Sequence, residues 1–253
     1  MVVYGNGFNR FKENLFLTSL CAVLATCVVS SERAVAQEVV AGWEGNSFSG
    51  NGVLGTAFQI PMSTTSAIMV RPTASYLYYD VRQLGVVSTH VTAPSVSLGL
   101  GYRYSDGRVT FDIGPSVQVL WERRKTVAGF STEKTHVGAG IASAVSLQFT
   151  PLTSVSLLAG YDTANKYFAS RAGIKQRVTD FQLQKPWWLL VGAEVIGQGN
   201  DEAHQISAGG LTELAFDQGR SALQLRAGYS WFNYPDHSKI ERPYVGAGLY
   251  HRF

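Results

Sequence analysis

The sequence contains few cysteines and few charged side chains. Cys21 and Cys27 are the two cysteines among 253 residues, and both lie near the start of the chain. Lysine, arginine, aspartate and glutamate together make up 15% of the residues, whereas about 25% is usual in soluble domains. The low cysteine content excludes a fold that depends on several disulfides. The low charge favours a protein with much of its surface against lipid.

Long apolar runs are also missing beyond the first 36 residues. A membrane-spanning helix needs about 20 predominantly apolar residues in succession. The 26 glycines follow no fixed period and 45% of the residues are hydrophobic, which excludes collagen-like and disordered chains. If this part of the chain crosses a membrane, it must cross it with β-strands.

Residues 1–36 have the pattern of a secretory signal peptide. Basic residues precede an apolar run over 15–29, and Ala34-Val35-Ala36 matches a small-x-small cleavage site. We therefore expect cleavage before Gln37. The alternative is a lipoprotein signal cleaved before Cys27, although the preceding threonine fits that signal poorly.

The remainder, residues 37–253, is expected to form one domain in which apolar and polar residues alternate. Leu223 and Leu225 fall on one face of a segment, and Gln224 and Arg226 fall on the other. This period of two is typical of a β-strand with one apolar and one polar face. Turn signals separate twelve such segments, at about 38–46, 50–60, 65–80, 92–105, 108–123, 135–150, 153–162, 166–178, 186–198, 203–216, 221–234 and 242–253.

Three features favour a transmembrane barrel over a soluble sandwich: the leader, the chain end at Phe253, and the connections. Alternate connections are tight turns, whereas those at 82–91, 124–134 and 235–241 are longer and carry charge. Short periplasmic turns and longer outer loops are typical of outer-membrane barrels. We predict an all-β fold, a single closed antiparallel transmembrane β-barrel of about 12 strands, with 10 or 14 as alternatives. Its expected location is the outer membrane of a Gram-negative bacterium.

The alternation assigns side chains to the two faces of this barrel. The residues expected to face lipid are Trp43, Trp121, Leu223, Leu225, Tyr229 and Leu249. The charged residues expected to line the lumen are Glu122, Arg171, Lys175, Glu194, Glu213 and Arg226. Buried charges require partners, so these residues form either a structural network of ion pairs or a path that selects solutes by charge.

The sequence offers weak signals for catalysis. His136 and His204 lie near predicted outer strand ends, where serines and acidic residues also occur, so a surface hydrolase acting on lipid or peptide is an alternative. However, no nucleophile motif surrounds these histidines. Metal-ligand spacing, a phosphate-binding glycine loop and a basic patch are also missing from the sequence. We predict no catalytic residues, no metal, no cofactor and no nucleic-acid partner.

Two segments carry a family resemblance. Gly160-Tyr161-Asp162-Thr163-Ala164-Asn165 leads into 167–173, and Val191-Gly192-Ala193-Glu194-Val195-Ile196-Gly197 leads to Gly209-Gly210-Leu211-Thr212. Their order and spacing resemble the C-terminal half of the cellulose-biosynthesis BcsS family, over residues 155–253. The resemblance implies a small outer-membrane protein of bacteria that export cellulose.

These observations together favour a narrow pore or an accessory component of exopolysaccharide secretion. The family resemblance implies that the exopolysaccharide is cellulose. The alternatives are an outer-membrane surface enzyme and a structural or adhesive barrel without transport. The expected partners are outer-membrane lipids, the barrel-assembly machinery through the last strand ending at Phe253, and polysaccharide secretion components. The barrel is expected to be a monomer.

Overall fold

A computed structural model describes residues 36–83, 86–182, 186–235 and 239–253. The predicted signal peptide therefore lies, apart from its last residue, outside the described residues. The described part of the chain contains twelve strands: β1 (Ala36–Gly45), β2 (Ser49–Pro61), β3 (Ser66–Gln83), β4 (Val86–Ser105), β5 (Val109–Thr126), β6 (Ser131–Gln148), β7 (Thr153–Asp162), β8 (Tyr167–Gln182), β9 (Pro186–Asn200), β10 (Ala203–Phe216), β11 (Ser221–Asn233) and β12 (Lys239–Arg252). Within these residues no helix is long and apolar enough to cross a membrane.

Each strand pairs with its two neighbours in antiparallel fashion, and the sheet closes on itself. The barrel closes at β1, which pairs with β2 on one side and with β12 on the other. The pairing with β12 runs from Glu38↔Arg252 to Gly45↔Val245. The expectation of a closed twelve-stranded antiparallel barrel is confirmed, and ten or fourteen strands are excluded. We call the end at which β1 begins and β12 finishes the terminal end, and the opposite end the mouth.

Turn chemistry explains one of the tight connections at the terminal end. Gly107 has φ +88°, a left-handed conformation that glycine adopts without strain. The Asp106 carboxylate accepts hydrogen bonds from the backbone N–H groups of Val109 at 2.8 Å and Arg108 at 2.9 Å. These bonds lower the pKa of Asp106 and hold the turn between β4 and β5.

The connections at the mouth differ from the expectation of long loops at 82–91 and 124–134. The ladder of β5 and β6 continues as far as Lys125↔Ser131 and leaves a turn of residues 127–130. β3 and β4 likewise pair as far as Gln83↔Val86. That expectation is wrong because polar and charged side chains do not prevent strand pairing once neighbouring backbones are in register. The third expected loop, 235–241, lies partly outside the described residues.

Apolar side chains cover the outside of the barrel rather than its inside. Large exposed hydrophobic residues occur on almost every strand, and the register places most of them outward. Among the described residues, the buried hydrophobic cluster consists of only Ala57, Ala67 and Met69. A soluble domain of this size would bury its large apolar side chains in a core. The reversed arrangement is typical of a barrel whose outer surface contacts lipid.

Candidate functional site: the barrel interior

The alternation of side chains along each strand places many charged residues of the domain in the interior. They form three clusters, and each contains a contact between strands that are not neighbours in the sheet. Contacts between such strands must reach through the lumen. The clusters therefore determine where the interior is closed and where it is open.

The central cluster consists of Glu44, Arg171, Glu194, Arg226 and Tyr244. Arg171 on β8 donates a hydrogen bond to Glu44 on β1, although four strands separate β1 from β8 on the shorter way round. Glu194 lies 3.4 Å from the Arg226 guanidinium and 3.7 Å from that of Arg171, and it accepts a hydrogen bond from the Tyr244 hydroxyl at 3.1 Å. Two guanidinium groups thus balance two carboxylates. Such pairing is needed because an unpaired buried charge is strongly destabilising.

The terminal-end cluster consists of Glu38, Gln59, Arg71, Arg103 and Asp112. Arg103 makes two hydrogen bonds of 2.9 Å to Asp112 on the adjacent β5 and one of 2.6 Å to Glu38 on β1. Arg71 contacts Asp112 at 2.8 Å, and Gln59 donates to Glu38 at 2.6 Å. This cluster also contains two cations and two carboxylates, so its formal charge is balanced.

The mouth cluster consists of Tyr79, Glu122, Arg124, Asn200 and Glu202. Arg124 on β5 donates to Glu202, in the turn between β9 and β10, at 2.5 and 3.0 Å, and it holds Glu122 at 2.7 and 3.1 Å. The Tyr79 hydroxyl donates to Glu202 at 2.9 Å and accepts from Asn200 at 3.2 Å. Five strands separate β3 from β9 in either direction, so this contact spans the mouth.

A further ion pair lies between the central cluster and the terminal end. Lys175 on β8 donates to Glu213 on β10 at 2.8 Å, and Gln224 on β11 donates to the same oxygen at 3.1 Å. Gln224 in turn accepts a hydrogen bond from Arg226. The predicted lumen residues on β8 to β11 are therefore linked into one network by hydrogen bonds and ion pairs.

The opposite wall, from β3 to β7, is lined by small residues. A cavity of about 140 Å³ is bordered by Arg71 and by the smaller residues Thr73, Ser97, Gly99, Gly114 and Ser116, among others. Farther round, the inward-facing Ala142, Ser146 and Leu158 are exposed, in contrast to the buried Glu194 on the other wall. Open space in the lumen therefore lies beside β3 to β7.

The six residues expected to face lipid all lie on the outer surface by register, and all are exposed. Their exposed fractions range from 42% for Leu223 to 58% for Tyr229. The six residues expected to line the lumen divide between two clusters and the Lys175–Glu213 pair. Glu122 belongs to the mouth cluster, and Arg171, Glu194 and Arg226 belong to the central cluster.

The two histidines singled out in the sequence lie in different settings. His136 lies 3.9 Å from Glu122, whereas the His204 ring lies 5.9 Å from the ring of Phe168. Among the described residues, no group of three or more histidines, cysteines and acidic residues is arranged to hold a metal ion.

Several members of the clusters were missed by sequence reasoning. Glu44 pairs with Arg171, and Glu202 pairs with Arg124 across the mouth, yet none of the three is among the lumen residues expected from the sequence. The outward position expected for Trp43 already implied that its neighbour Glu44 points inward. Glu202 carried no such signal because it lies in a turn.

Comparison with known proteins supplies two findings. A family model described as "Cellulose biosynthesis protein BcsS" matches residues 31–253. No curated protein matches the sequence.

Solved structures resemble the chain in fold. The β domain of the Bordetella autotransporter BrkA aligns with a TM-score of 0.52 at 12% identity, covering 87% of this chain and 100% of that one. LpxR from Salmonella typhimurium aligns with a TM-score of 0.49 at 8% identity, and the alignment covers 85% of this chain and 100% of LpxR. The translocator domain of the autotransporter NalP from Neisseria meningitidis aligns with a TM-score of 0.48 at 12% identity. This alignment covers 97% of this chain and 98% of that domain. At such identities the likeness concerns the fold alone, and the fold comparison rests on the Bordetella domain.

Proposed function

Because the chain belongs to the cellulose biosynthesis protein BcsS family, we propose that it is an outer-membrane barrel that serves exopolysaccharide secretion as a narrow pore. The polysaccharide is a neutral one such as cellulose. The apolar outer surface, with Trp43, Trp121 and Leu225 among its exposed residues, supports insertion in the outer membrane.

The observation that carries the proposal is the combination of a charge-balanced interior with an open wall of small residues. The central and terminal-end clusters each pair two cations with two carboxylates. A lumen balanced in this way has little net field to attract anions or cations. The wall beside β3 to β7 offers hydroxyl groups of Thr73, Ser97 and Ser116, which can exchange hydrogen bonds with an uncharged sugar chain.

The size of the barrel agrees with a narrow path. Eight strands enclose an interior that side chains fill, whereas barrels of 16–18 strands leave a wide aqueous channel. Twelve strands lie between these sizes, and the contacts across the lumen reduce the width further. The proposal assigns no catalytic role to His136 or His204.

Single-channel recording in planar bilayers tests the proposal. The purified barrel is expected to give a small, steady conductance with weak selectivity between anions and cations. Arg226→Ala and Glu194→Gln are expected to change the conductance and the ion selectivity, because each leaves an unbalanced charge in the central cluster. Tyr229→Ala, on the outer face of the same strand as Arg226, is the matched control.

Two results would contradict the pore. A correctly folded barrel that gives no current would favour an accessory or structural role in secretion. Hydrolysis of lipid or peptide substrates that is lost in His136→Ala or His204→Ala would favour an enzyme.

A further inference from the structure

A partly open cavity of about 140 Å³ lies in the wall of the lumen that β3 to β6 form. We propose that this space, which we call the wall cavity, binds one pyranose ring of a neutral glucan chain. The inference rests on the proposed function, since it locates a sugar-binding site in the lumen of that pore. Such a site holds the chain at one place in the lumen instead of letting it slide along a uniform wall.

Three hydroxyl groups of the wall cavity are available to a ligand. They belong to Thr73 on β3, Ser97 on β4 and Ser116 on β5, and Thr73 and Ser97 are register partners. Among the residues that the structure describes, no side-chain or backbone group is hydrogen-bonded to any of the three hydroxyls. One step nearer the mouth, in contrast, the hydroxyls of Ser75 and Ser95 bond to each other at 2.7 Å. The hydroxyls of the wall cavity can therefore exchange hydrogen bonds with those of a sugar.

Small residues give the wall cavity room for a ring. Gly99 and Gly114 border it without a side chain, and Ala142 borders it with a single methyl group, so a ligand can approach the backbone closely. In another protein, an engineered cavity of about 150 Å³ holds a benzene ring. A pyranose also has six ring atoms, and its substituents can extend through the open side of the cavity into the lumen.

The charges around the wall cavity favour a neutral ligand over an acidic one. Arg71, which borders the cavity, contacts Asp112 at 2.8 Å, and both belong to the charge-balanced terminal-end cluster. A further carboxylate, that of Asp162, lies beside Ser116, because a Cβ atom at Gly140 would be 2.8 Å from Ser116 Oγ and 3.4 Å from Asp162 Oδ2. A sugar carboxylate would meet the negative charge of Asp162 while Arg71 is already paired, and like charges repel.

Isothermal titration calorimetry on the whole barrel in detergent tests the site. Cellotetraose is expected to bind, whereas the acidic oligosaccharide tetragalacturonate is expected not to bind. The triple variant Thr73→Val/Ser97→Ala/Ser116→Ala removes the three hydroxyls with little change in volume, so it is expected to weaken binding by about tenfold or more. Ser97→Trp fills the cavity and is expected to abolish binding. Ser146→Ala, which removes an inward-facing hydroxyl of β6 outside the cavity, is the matched control and is expected to bind as the unaltered barrel does.

Absence of cellotetraose binding to the folded barrel would overturn the inference, and so would unchanged affinity in the triple variant. Equal weakening in Ser146→Ala, or equal affinity for tetragalacturonate, would overturn it as well. Conductance of the same preparation separates these outcomes from failure of the pore. A barrel that conducts without binding cellotetraose contradicts the wall cavity alone, whereas one that binds without conducting contradicts the pore alone.

Discussion

At the scale of single residues, the environment of Glu194 shows why the interior charges depend on one another. This side chain is 1% exposed and contacts two guanidinium groups and one phenol. A carboxylate removed from water to this extent is stable only with such partners. Loss of its charge would leave Arg171 and Arg226 near each other with Glu44 as the remaining carboxylate of the cluster.

Glu194→Gln is therefore expected to destabilise the barrel by about 3–5 kcal/mol, since it breaks a buried ion pair by removing one partner. Urea unfolding in lipid vesicles would measure the free energy. The double variant Glu194→Gln/Arg226→Met should recover part of the loss because the unpaired cation is gone. A cost near 0–1 kcal/mol, as for exposed ion pairs, would show that solvent screens the central cluster.

The outer face gives a second prediction at this scale. Leu225 is 56% exposed on the outward face of β11, and Gln224 points inward beside Glu213. Leu225→Arg is expected to cost about 2–4 kcal/mol if the residue lies near the middle of the bilayer. Gln224→Arg should cost less, because Glu213 lies close to the new charge. Equal costs in the same vesicle unfolding assay would mean that the two faces are exchanged.

At the scale of elements, the turn between β9 and β10 acts as a tie across the mouth. Glu202 in this turn accepts hydrogen bonds from Arg124 on β5 and Tyr79 on β3. Its neighbour Asp201 instead contacts Lys166 at 2.8 Å in an exposed ion pair. Asp201 accepts a hydrogen bond from Lys166 and so raises the pKa of that lysine. Adjacent acidic residues of one turn therefore have different partners.

Glu202→Ala is expected to widen the mouth and raise single-channel conductance, since it removes the bonds that join β3 and β5 to this turn. Asp201→Ala is the control and should leave the conductance unchanged, because its partner lies in the neighbouring turn. An equal conductance in both variants and the unaltered barrel would show that the tie does not limit the current.

The close approach of β4 and β5 gives a second prediction for elements. A Cβ atom at Gly114 would lie 2.5 Å from Gly101 Cα and from the Leu100 carbonyl oxygen. At Gly173, also on an inward face, the nearest atoms would be 3.6 Å away. Gly114→Ala should cost about 1–3 kcal/mol through overpacking, whereas Gly173→Ala should have little effect. Urea unfolding that gives equal free energies for the two variants would contradict this difference.

At the scale of the whole molecule, the barrel is apolar outside and polar inside, with contacts between non-adjacent strands in three clusters. This arrangement makes the lumen eccentric at the level of the central cluster, because that cluster and the Lys175–Glu213 pair lie mainly on β8 to β12, whereas small residues beside Arg71 line the cavity on β3 to β6. Because the outer surface consists largely of apolar side chains, only 15% of the residues in the sequence are charged.

The sequence predicts that residues 1–36 are a signal peptide that is removed on export. Mass spectrometry of the protein isolated from the membrane fraction is expected to show an N-terminus at Gln37. A retained Met1, or recovery of the protein from the soluble periplasmic fraction, would contradict both the leader and the location.

The sequence by itself determined the strands and the two faces of each strand. The alternation around Leu225 and Arg226 is local, because a strand turns successive side chains to opposite sides whatever its neighbours are. The division into twelve strands could also be read from turns such as Asp106–Gly107, since their chemistry is contained in adjacent residues. The expected loop at 124–134 is wrong, because pairing between two polar segments depends on the partner strand.

Only the tertiary structure decided which charges meet. Arg171 and Glu44 are 127 positions apart in the chain, and nothing in the alternation of β8 indicates a partner on β1. That contact depends on how the sheet closes and on how its strands are staggered around the axis. The same holds for Glu202, which reaches Tyr79 from the opposite side of the mouth. The periodicity of a strand gives the direction of a side chain, whereas the closure of the barrel determines what lies across the lumen from it.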